Sequence, residues 1–537
     1  MAIPSSKALR AATVPTSTSA APIGRVRLLE PLVFFGGLTS IGIELAASRL
    51  LAPYFGNSTF IWANLIGLTL TYLALGYYIG GRVADRFPTP VVMYAVAAVA
   101  AVFAGFIPVM SRPILRASLS AFDSLAVGAF YGSLLGVILL FAIPVTLLGF
   151  ITPYAIRLRL ADVDGAGKTA GRIYALSTVG SILGSFLPVL LFIPAFGTAT
   201  TFLILSLSLL VLALLGLLEA RSWRLAAGSL ALIAALLATS AVVGAAGIKP
   251  PYRGVLIHEE ESEYNYIQVL QDGENTLLAL NEGQAIHSIY NPRTLLTGGP
   301  WDYFGVAPLV NDGALGRPVR SALMIGLAGG TASRELLAAY PEAHVDGVEI
   351  DKAVADIGRR YFAMSDPRLN VIIEDGRYFL RRTDRTYDIV AVDAYHQPYI
   401  PFQLTTTEFF GEVAAHLNPH GAAVVNVGRT ATDFRLVDAL ATTMGAVFRH
   451  VYVIDVGAYT NSMVIGTNDD SSAERFAANA AGLASDSLLG IVASESVATG
   501  NVRVPASKGT PFTDDRAPVE RVVDRMIIDA AREEGKP

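Results

Sequence analysis

The strongest constraint on this chain of 537 residues is a series of seven long apolar runs confined to its first 248 residues. They lie at about 32–52, 60–80, 90–110, 126–148, 173–195, 199–218 and 225–247. Each is close to the roughly 20 residues that cross a bilayer core as a helix. A soluble globule cannot bury seven such segments, so residues 28–248 are predicted to be a multi-pass α-helical membrane domain. Pro144 and Pro153 leave the end of the fourth span open. Residues 1–27, rich in Ala, Ser, Thr and Pro, read as a disordered tail, and they lack the early apolar core of a signal peptide.

Charge divides the chain at the same place. Residues 1–248 carry 15 Lys+Arg against 7 Asp+Glu, and the remainder carries 25 against 38. Two environments follow, and the acidity of the soluble-looking half argues against a nucleic-acid partner. The absence of cysteine excludes disulfides, thiolate metal sites and cysteine nucleophiles. The six histidines other than His396 form no metal-ligand spacing.

Lys and Arg in the short loops set an expected orientation. Twelve lie before span one or after spans two, four and six, and only Arg112 and Arg116 lie in the opposite loops. This predicts a cytoplasmic N-terminus and, with seven spans, a C-terminal half outside the cytoplasm. One span more or fewer reverses that side. Within the first run, Glu44 and Arg49 are either functional groups at membrane depth or a helix-pairing acid and a snorkelling base.

Pro250-Pro251 closes the last apolar run. Residues 251–310 read as a small β domain, with turns at Asp272-Gly273 and Glu282-Gly283 and an alternating strand from Tyr264 to Val269. From about 318 to 537, strands alternate with helices. Expected strands are Ser321–Gly326, His344–Glu349, Val371–Glu374, Tyr387–Val392 and Ala422–Val427. That alternation predicts a doubly wound, Rossmann-like domain of the class I methyltransferase type, which binds ligands beyond its strand C-termini. Three features fall there: the turn from Gly326 through Gly329, Glu349 after strand two, and Asp375-Gly376 after strand three. The turn admits a ligand near backbone, Glu349 has the spacing of a ribose-binding acid, and Asp375 is placed for an adenine amino group. Together they point to an adenosine-containing ligand; a sheet that has lost its ligand is the alternative.

These residues resemble the polyamine aminopropyltransferases (spermidine synthases), and the whole chain resembles bacterial fusions of a membrane domain to such a module. The likeness rests on Ser262-Glu263-Tyr264-Asn265, on Trp301-Asp302-Tyr303 and on the stretch from Ile325 to Gly330. It continues through Val348-Glu349-Ile350-Asp351, Asp366-Pro367-Arg368 and Glu374-Asp375-Gly376. The segments Tyr387–Asp393 and Leu404–Phe410 complete it, the latter like the helix after the family's gatekeeping loop.

The resemblance implies transfer of an aminopropyl group from decarboxylated S-adenosylmethionine to an amine or polyamine, releasing methylthioadenosine. It implies no permanently bound cofactor or metal, a bacterial plasma-membrane location and a homodimer formed through the β domain. It assigns Gly326, Gly329, Glu349, Asp375, Gly376 and Asn265 to the donor, and His396, Asp393 and Tyr303 to catalysis. Four positions depart from the family pattern. Gly329 stands where the family has an Asp beside the donor's amine, and His396 stands where it has its catalytic Asp. Phe304 and Asn265 each replace a Gln. His396 is either a base near neutral pH or a loop histidine satisfied by backbone. The stretch from Thr513 to Glu520 also resembles the membrane-fused members, with Asp514 and Asp515 expected in a helix cap or solvated loop, or else beside the site. Three functions therefore compete: a membrane-tethered transferase, a non-catalytic binding or assembly module of the envelope, and a transporter with an associated soluble domain.

Overall fold

The computed structural model describes residues 27–55, 59–122, 128–160, 165–244, 248–281, 285–396, 398–506 and 509–534. The N-terminal tail to residue 26, the expected turn at Glu282-Gly283 and Gln397 lie outside the described residues.

The apolar runs form helices α1 (Leu29–Phe55), α2 (Thr59–Arg86), α3 (Pro90–Phe122), α4 (Gly128–Arg159), α5 (Ala166–Leu187), α6 (Ile193–Glu219) and α7 (Trp223–Gly244). Counted as continuous apolar helices long enough to cross a membrane there are six, because α5 and α6 join through a π-helical segment, Pro188–Phe192. That joined stretch has 54 residues. At about 1.5 Å per residue it would run to roughly 80 Å, far beyond a hydrocarbon core of about 30 Å. Gly197 breaks it, with φ of 79° and ψ of 166°.

Contacts with α1 show the two arms running in opposite directions. Arg172 of α5 and Glu219 of α6 both reach the start of α1, through Glu30 and the Arg27 N–H. The Gly197 turn lies at the other end, where Thr198 N donates to Glu261 of the soluble half at 2.6 Å. α4 runs unbroken through Pro144 and Pro153. Glu44 of α1 is hydrogen-bonded with Thr69 of α2, the helix-pairing role.

The soluble half begins with an antiparallel sheet of β1 (Val255–Glu261), β2 (Tyr266–Asp272), β3 (Asn275–Leu280) and β4 (Ile286–Tyr290), in that order. β2 starts two residues later than expected and is buried on both faces rather than alternating. Ile267 and Val269 pack on Val354, Ile357 and Phe362, while Leu270 lies with Leu277 and Ala279.

The larger domain contains β5 (Ser321–Ile325), α8 (Thr331–Ala339), β6 (His344–Glu349), α9 (Lys352–Tyr361), β7 (Leu369–Ile373), α10 (Gly376–Arg382) and β8 (Tyr387–Val392). It continues with α11 (Thr407–Ala415), β9 (Leu417–Gly428), α12 (Arg435–Gly445), β10 (His450–Asp455), β11 (Asn461–Thr467), α13 (Ala473–Ala481), α14 (Leu488–Ala498), β12 (Val502–Arg503) and α15 (Val519–Glu534). Its eight strands follow the order β12-β10-β11-β9-β8-β5-β6-β7. β7, β6, β5, β8 and β9 are parallel, and the remaining strands pair antiparallel. Chain order reverses between β5 and β8, the switch point at which such sheets open a cleft. The 3₁₀ segment Pro300–Val310 packs into this sheet's core with Met324, Ala391 and Val424, and Ile286 and Ile289 of β4 pack against the same cluster.

The soluble half is seated on the end of the helix bundle through charged hydrogen bonds. Glu261 caps the Gly197 turn, Glu259 accepts from the Ile248 and Lys249 N–H groups, and the Lys249 ammonium bonds the Pro53 carbonyl. Losing a charged hydrogen bond costs about 1.5–3 kcal/mol. Glu261→Ala should therefore open this seat, and trypsin should cut after Arg253 about 10–100-fold faster when opening precedes cleavage, the Lys249–Pro250 bond being resistant to it.

Candidate functional site

The carboxyl ends of β5, β6, β7 and β8 converge on one place. At β5, Asp393 N donates to Ile325 O at 2.8 Å, so the ends of β5 and β8 touch. Gly326 sits there at φ 87°, and a Cβ would lie 2.5 Å from Asp393 O. The turn then curls through Ala328 at φ 48°. Its N–H donates to Glu349 Oε2 at 2.8 Å, and Asp351 N donates to Oε1 at 3.0 Å. Burial pushes the Glu349 carboxyl up to about 7, against the pull of these amide donors.

Gly329 has no room for the acid that the resemblance places there. Its N–H donates to Ser288 Oγ of β4 at 2.8 Å. A Cβ would lie 2.9 Å from the Ser288 Cβ and 3.1 Å from the Phe362 ring. Gly376 is needed for a similar reason, since its Cβ would lie 2.3 Å from Ile325 Cγ2. The preceding Asp375 caps α10 through Oδ1, which accepts from Tyr378 N at 2.9 Å. It lies within electrostatic reach of Tyr264, as does Asp351.

Asp393 is enclosed at the end of β8. It accepts from Asn426 Nδ2 at 2.8 Å and is hydrogen-bonded with Trp301; burial raises its carboxyl to about 7. Tyr303, two residues from Trp301, is buried and hydrogen-bonded with the Gly457 backbone. Asn265 is also committed within the protein: its Nδ2 donates to Asp351 at 2.8 Å, and its Oδ1 accepts from Asn281 at 2.9 Å. It joins the small sheet to the start of α9, which Asp351 caps.

His396 opens the loop between β8 and α11, in a turn closed by reciprocal backbone hydrogen bonds with Tyr399 at 2.8 and 3.0 Å. Burial and the Arg49 guanidinium from α1 lower its pKa, and Glu520 of α15 opposes them weakly. The imidazole is therefore neutral at pH 7. The loop is tied down on both sides of His396: Tyr395 OH donates to Asn426 O at 3.0 Å, and Tyr399 OH to Asp524 at 2.7 Å.

Gly326, Gly329, Glu349, Asp375, Gly376 and Asp393 thus line the strand ends. His396 stands in the loop beyond, while Asn265 and Tyr303 are held by internal partners. The sequence did not single out three neighbours. One is His287 of β4, which lies within electrostatic reach of His396. Another is Ser288, and the third is Arg377, buried in α10. Arg377 pairs with Glu412 and Asp514 at 2.9 and 2.7 Å and donates to Gln403 O at 3.0 Å. Thr406 also donates to Asp514 at 2.7 Å. Asp514 is exposed, yet it does more than solvate a loop, because through Arg377 and Thr406 it fixes the segment that precedes α11. No local spacing signals this pair, whose members are 137 residues apart. Among the described residues, no group of His, Asp and Glu is arranged to hold a metal ion.

A doubly wound sheet with an acid-lined switch point defines the class to which the comparisons then give a family. The spermine/spermidine synthase domain matches residues 310–474. Over 296 residues the chain is 33% identical to a probable polyamine aminopropyl transferase of Bifidobacterium longum, covering 51% of this chain and 65% of that protein. Over 224 residues it is 30% identical to the polyamine aminopropyltransferase of Vibrio vulnificus, covering 40% of this chain and 72% of the relative. A probable spermidine synthase structure from Corynebacterium glutamicum aligns at 20% identity and a TM-score of 0.38, over 47% of this chain and 90% of that one. The chain belongs to the spermine/spermidine synthase family, and it carries that domain behind a set of apolar helices of membrane-spanning length.

Two predictions follow from the site. Gly329→Asp should lower the melting temperature, because overpacking costs about 1–3 kcal/mol, and Ser288→Gly should restore part of the loss. The second concerns pH. Glu349 and Asp393 hold their protons more firmly folded than unfolded. Stability should therefore fall as pH rises from the ordinary carboxyl range to about 7 and level off above it. Each group's share is on the order of 3 kcal/mol, so Glu349→Gln should remove about half of the slope in melts taken from pH 5 to 8.

Proposed function

We propose that the soluble half transfers an aminopropyl group from decarboxylated S-adenosylmethionine to a polyamine-type amine while tethered to a lipid bilayer. The observation that carries this reading is the convergence of Glu349, Asp375 and Asp393 on the glycine turn, with a neutral imidazole at His396 beyond them. In this reading Glu349 accepts hydrogen bonds from the ribose hydroxyls, and Asp375 takes the adenine amino group. Gly326, Gly329 and Gly376 let backbone approach the nucleoside, and Asn265 acts through Asp351 to hold the small sheet over the site. The amine nitrogen attacks the propyl carbon next to the sulfonium. A C–N bond forms, the C–S bond breaks, and its electron pair stays on sulfur as methylthioadenosine leaves. His396 takes the proton that the new ammonium sheds, with Asp393 and Tyr303 walling the reacting end. Juxtaposition of amine and sulfonium supplies much of the rate, and a positioned base contributes about 10²–10⁴-fold.

The closed space at Gly329 favours a second reading, a binding module without turnover, because no carboxylate stands in that turn to meet the donor's ammonium. Purified full-length protein incubated with decarboxylated S-adenosylmethionine and putrescine separates the two. Release of methylthioadenosine is expected, with donor affinity about 10–100-fold weaker in Glu349→Gln, the loss of a charged hydrogen bond. A folded sample that releases none from either decarboxylated or ordinary S-adenosylmethionine would overturn the transferase reading.

The arms of α5 and α6 count as two crossings in this reading, giving seven. The start of α1 and the soluble half then face opposite sides, and the loop charges favour a soluble half outside the cytoplasm, a placement that would keep it from intracellular donor and support the second reading. A reporter fused after Pro537, active only in an oxidising compartment, should be active. Activity of a cytoplasm-only reporter instead would reverse the assignment and give the site direct access to intracellular donor.

A further inference from the structure

β4 carries an imidazole nitrogen that nothing among the described residues satisfies. His287 Nε2 is buried and has no hydrogen-bond partner among the described residues, although the residue as a whole is only half-buried. A buried polar atom left in this state costs about 1–3 kcal/mol, and such atoms are uncommon in folded proteins. Its position is fixed on both sides. Next to it, Ser288 Oγ accepts the Gly329 N–H at 2.8 Å. One residue on, Ile289 N donates to Thr331 Oγ1 at 2.9 Å, and that hydroxyl donates back to Ile289 O at 3.0 Å. β4 is thereby stitched to the glycine turn and to the first residue of α8, which fixes the backbone on which His287 stands.

The groups facing it favour a neutral ring. His396 is within electrostatic reach of His287, and Arg49 and Glu520 lie around His396. Burial, followed by His396, lowers the His287 pKa to about 4. A neutral imidazole protonated at Nδ1 keeps its lone pair on Nε2, a hydrogen-bond acceptor without a donor.

We propose that His287 Nε2 accepts a hydrogen bond from the nucleophilic nitrogen of the amine substrate, and that His287 and His396 together select a primary amine. The inference rests on the transferase reading above. A neutral primary amine has two N–H bonds and one lone pair. Two imidazole acceptors take the two N–H bonds and leave the lone pair for the propyl carbon. A secondary amine offers one N–H and leaves one ring nitrogen unpaired. After attack, the C–N bond has formed, the C–S electron pair rests on sulfur, and the ammonium proton passes to His396 and on to solvent. His287 orients the nitrogen and does not take the proton.

The test uses full-length protein in detergent, with methylthioadenosine and putrescine as probes in calorimetry and decarboxylated S-adenosylmethionine in turnover. His287→Phe fills the space and removes the orphaned nitrogen. It should hold or raise the melting temperature and leave methylthioadenosine affinity unchanged. Putrescine affinity should weaken at least tenfold, and kcat/KM for the amine should fall about 100-fold. His287→Gln, which returns an acceptor, should recover most of the amine binding; His287→Leu replaces the Phe variant if the larger ring does not fold. Wild-type protein should prefer putrescine to its N,N′-dimethyl derivative, and the Phe variant should lose that preference.

Putrescine binding and turnover within twofold of wild type in His287→Phe would overturn the proposal. So would equal loss of methylthioadenosine and putrescine binding, the mark of a packing role. Wild-type protein that binds methylthioadenosine but no amine refutes this inference and leaves the donor site standing. Wild-type protein that binds neither removes the transferase reading itself.

Discussion

The soluble half depends on one buried carboxylate, Glu349. It holds the Ala328 N–H of the glycine turn and the Asp351 N–H at the start of α9, so one side chain ties two strand-end loops together. Asp351 in turn binds Asn265 and Ser262 and brings the small sheet down on the same place. This arrangement is costly, since burial raises the acid to about 7 even with amide donors around it. A chain that needed only a stable sheet could satisfy those N–H groups with uncharged acceptors. The charge there is better accounted for by a ligand whose hydroxyl donors complete the carboxylate's shell.

The second constraint is the junction between the halves. Glu261 leaves the small sheet to cap the backbone where the α5–α6 stretch turns at Gly197. Arg49, near the end of α1, lies within electrostatic reach of Glu261, Glu263, Asp351 and His396. Arg49 therefore does more than snorkel to an interface, because it sets part of the potential at the loop that carries His396. The apolar helices contribute a charge to the candidate site as well as an anchor.

The fold was legible where periodicity and turn chemistry agree. The parallel strands and the glycine turn were placed to within a few residues, because each apolar run ends in a residue with a backbone reason to stop it. Other features were illegible because their cause lies far away in sequence. Gly329 looks like a lost acid until Ser288, 41 residues earlier, is seen to occupy the space beside it. Asp514 looks like a loop acid until Arg377 is found beneath it. The α5–α6 junction, by contrast, was legible, since the apolar runs 173–195 and 199–218 part where the helix breaks at Gly197. His287 gives no signal at all, because one polar residue in a short strand reads as its solvent-facing position.

The missing carboxylates bear on the chemistry in a specific way. An acid beside the reacting amine stabilises the ammonium form, which is not a nucleophile, and must also act as the base that removes its proton. Two neutral imidazoles next to a guanidinium do the reverse, favouring the free amine before it reacts. Recognition of distal positive charge then falls to acids further out, and Glu520 and Asp524, one turn apart on α15, stand against the His396–Tyr399 loop. In the transferase reading, the acidity of the soluble half is compatible with the loss of two family carboxylates at its reacting end: negative charge would gather the cation, and the uncharged pair would receive it as an amine. This division of labour needs the loop held at a fixed distance from β4, which Arg377 and Asp514 provide from one side and Tyr399 and Asp524 from the other.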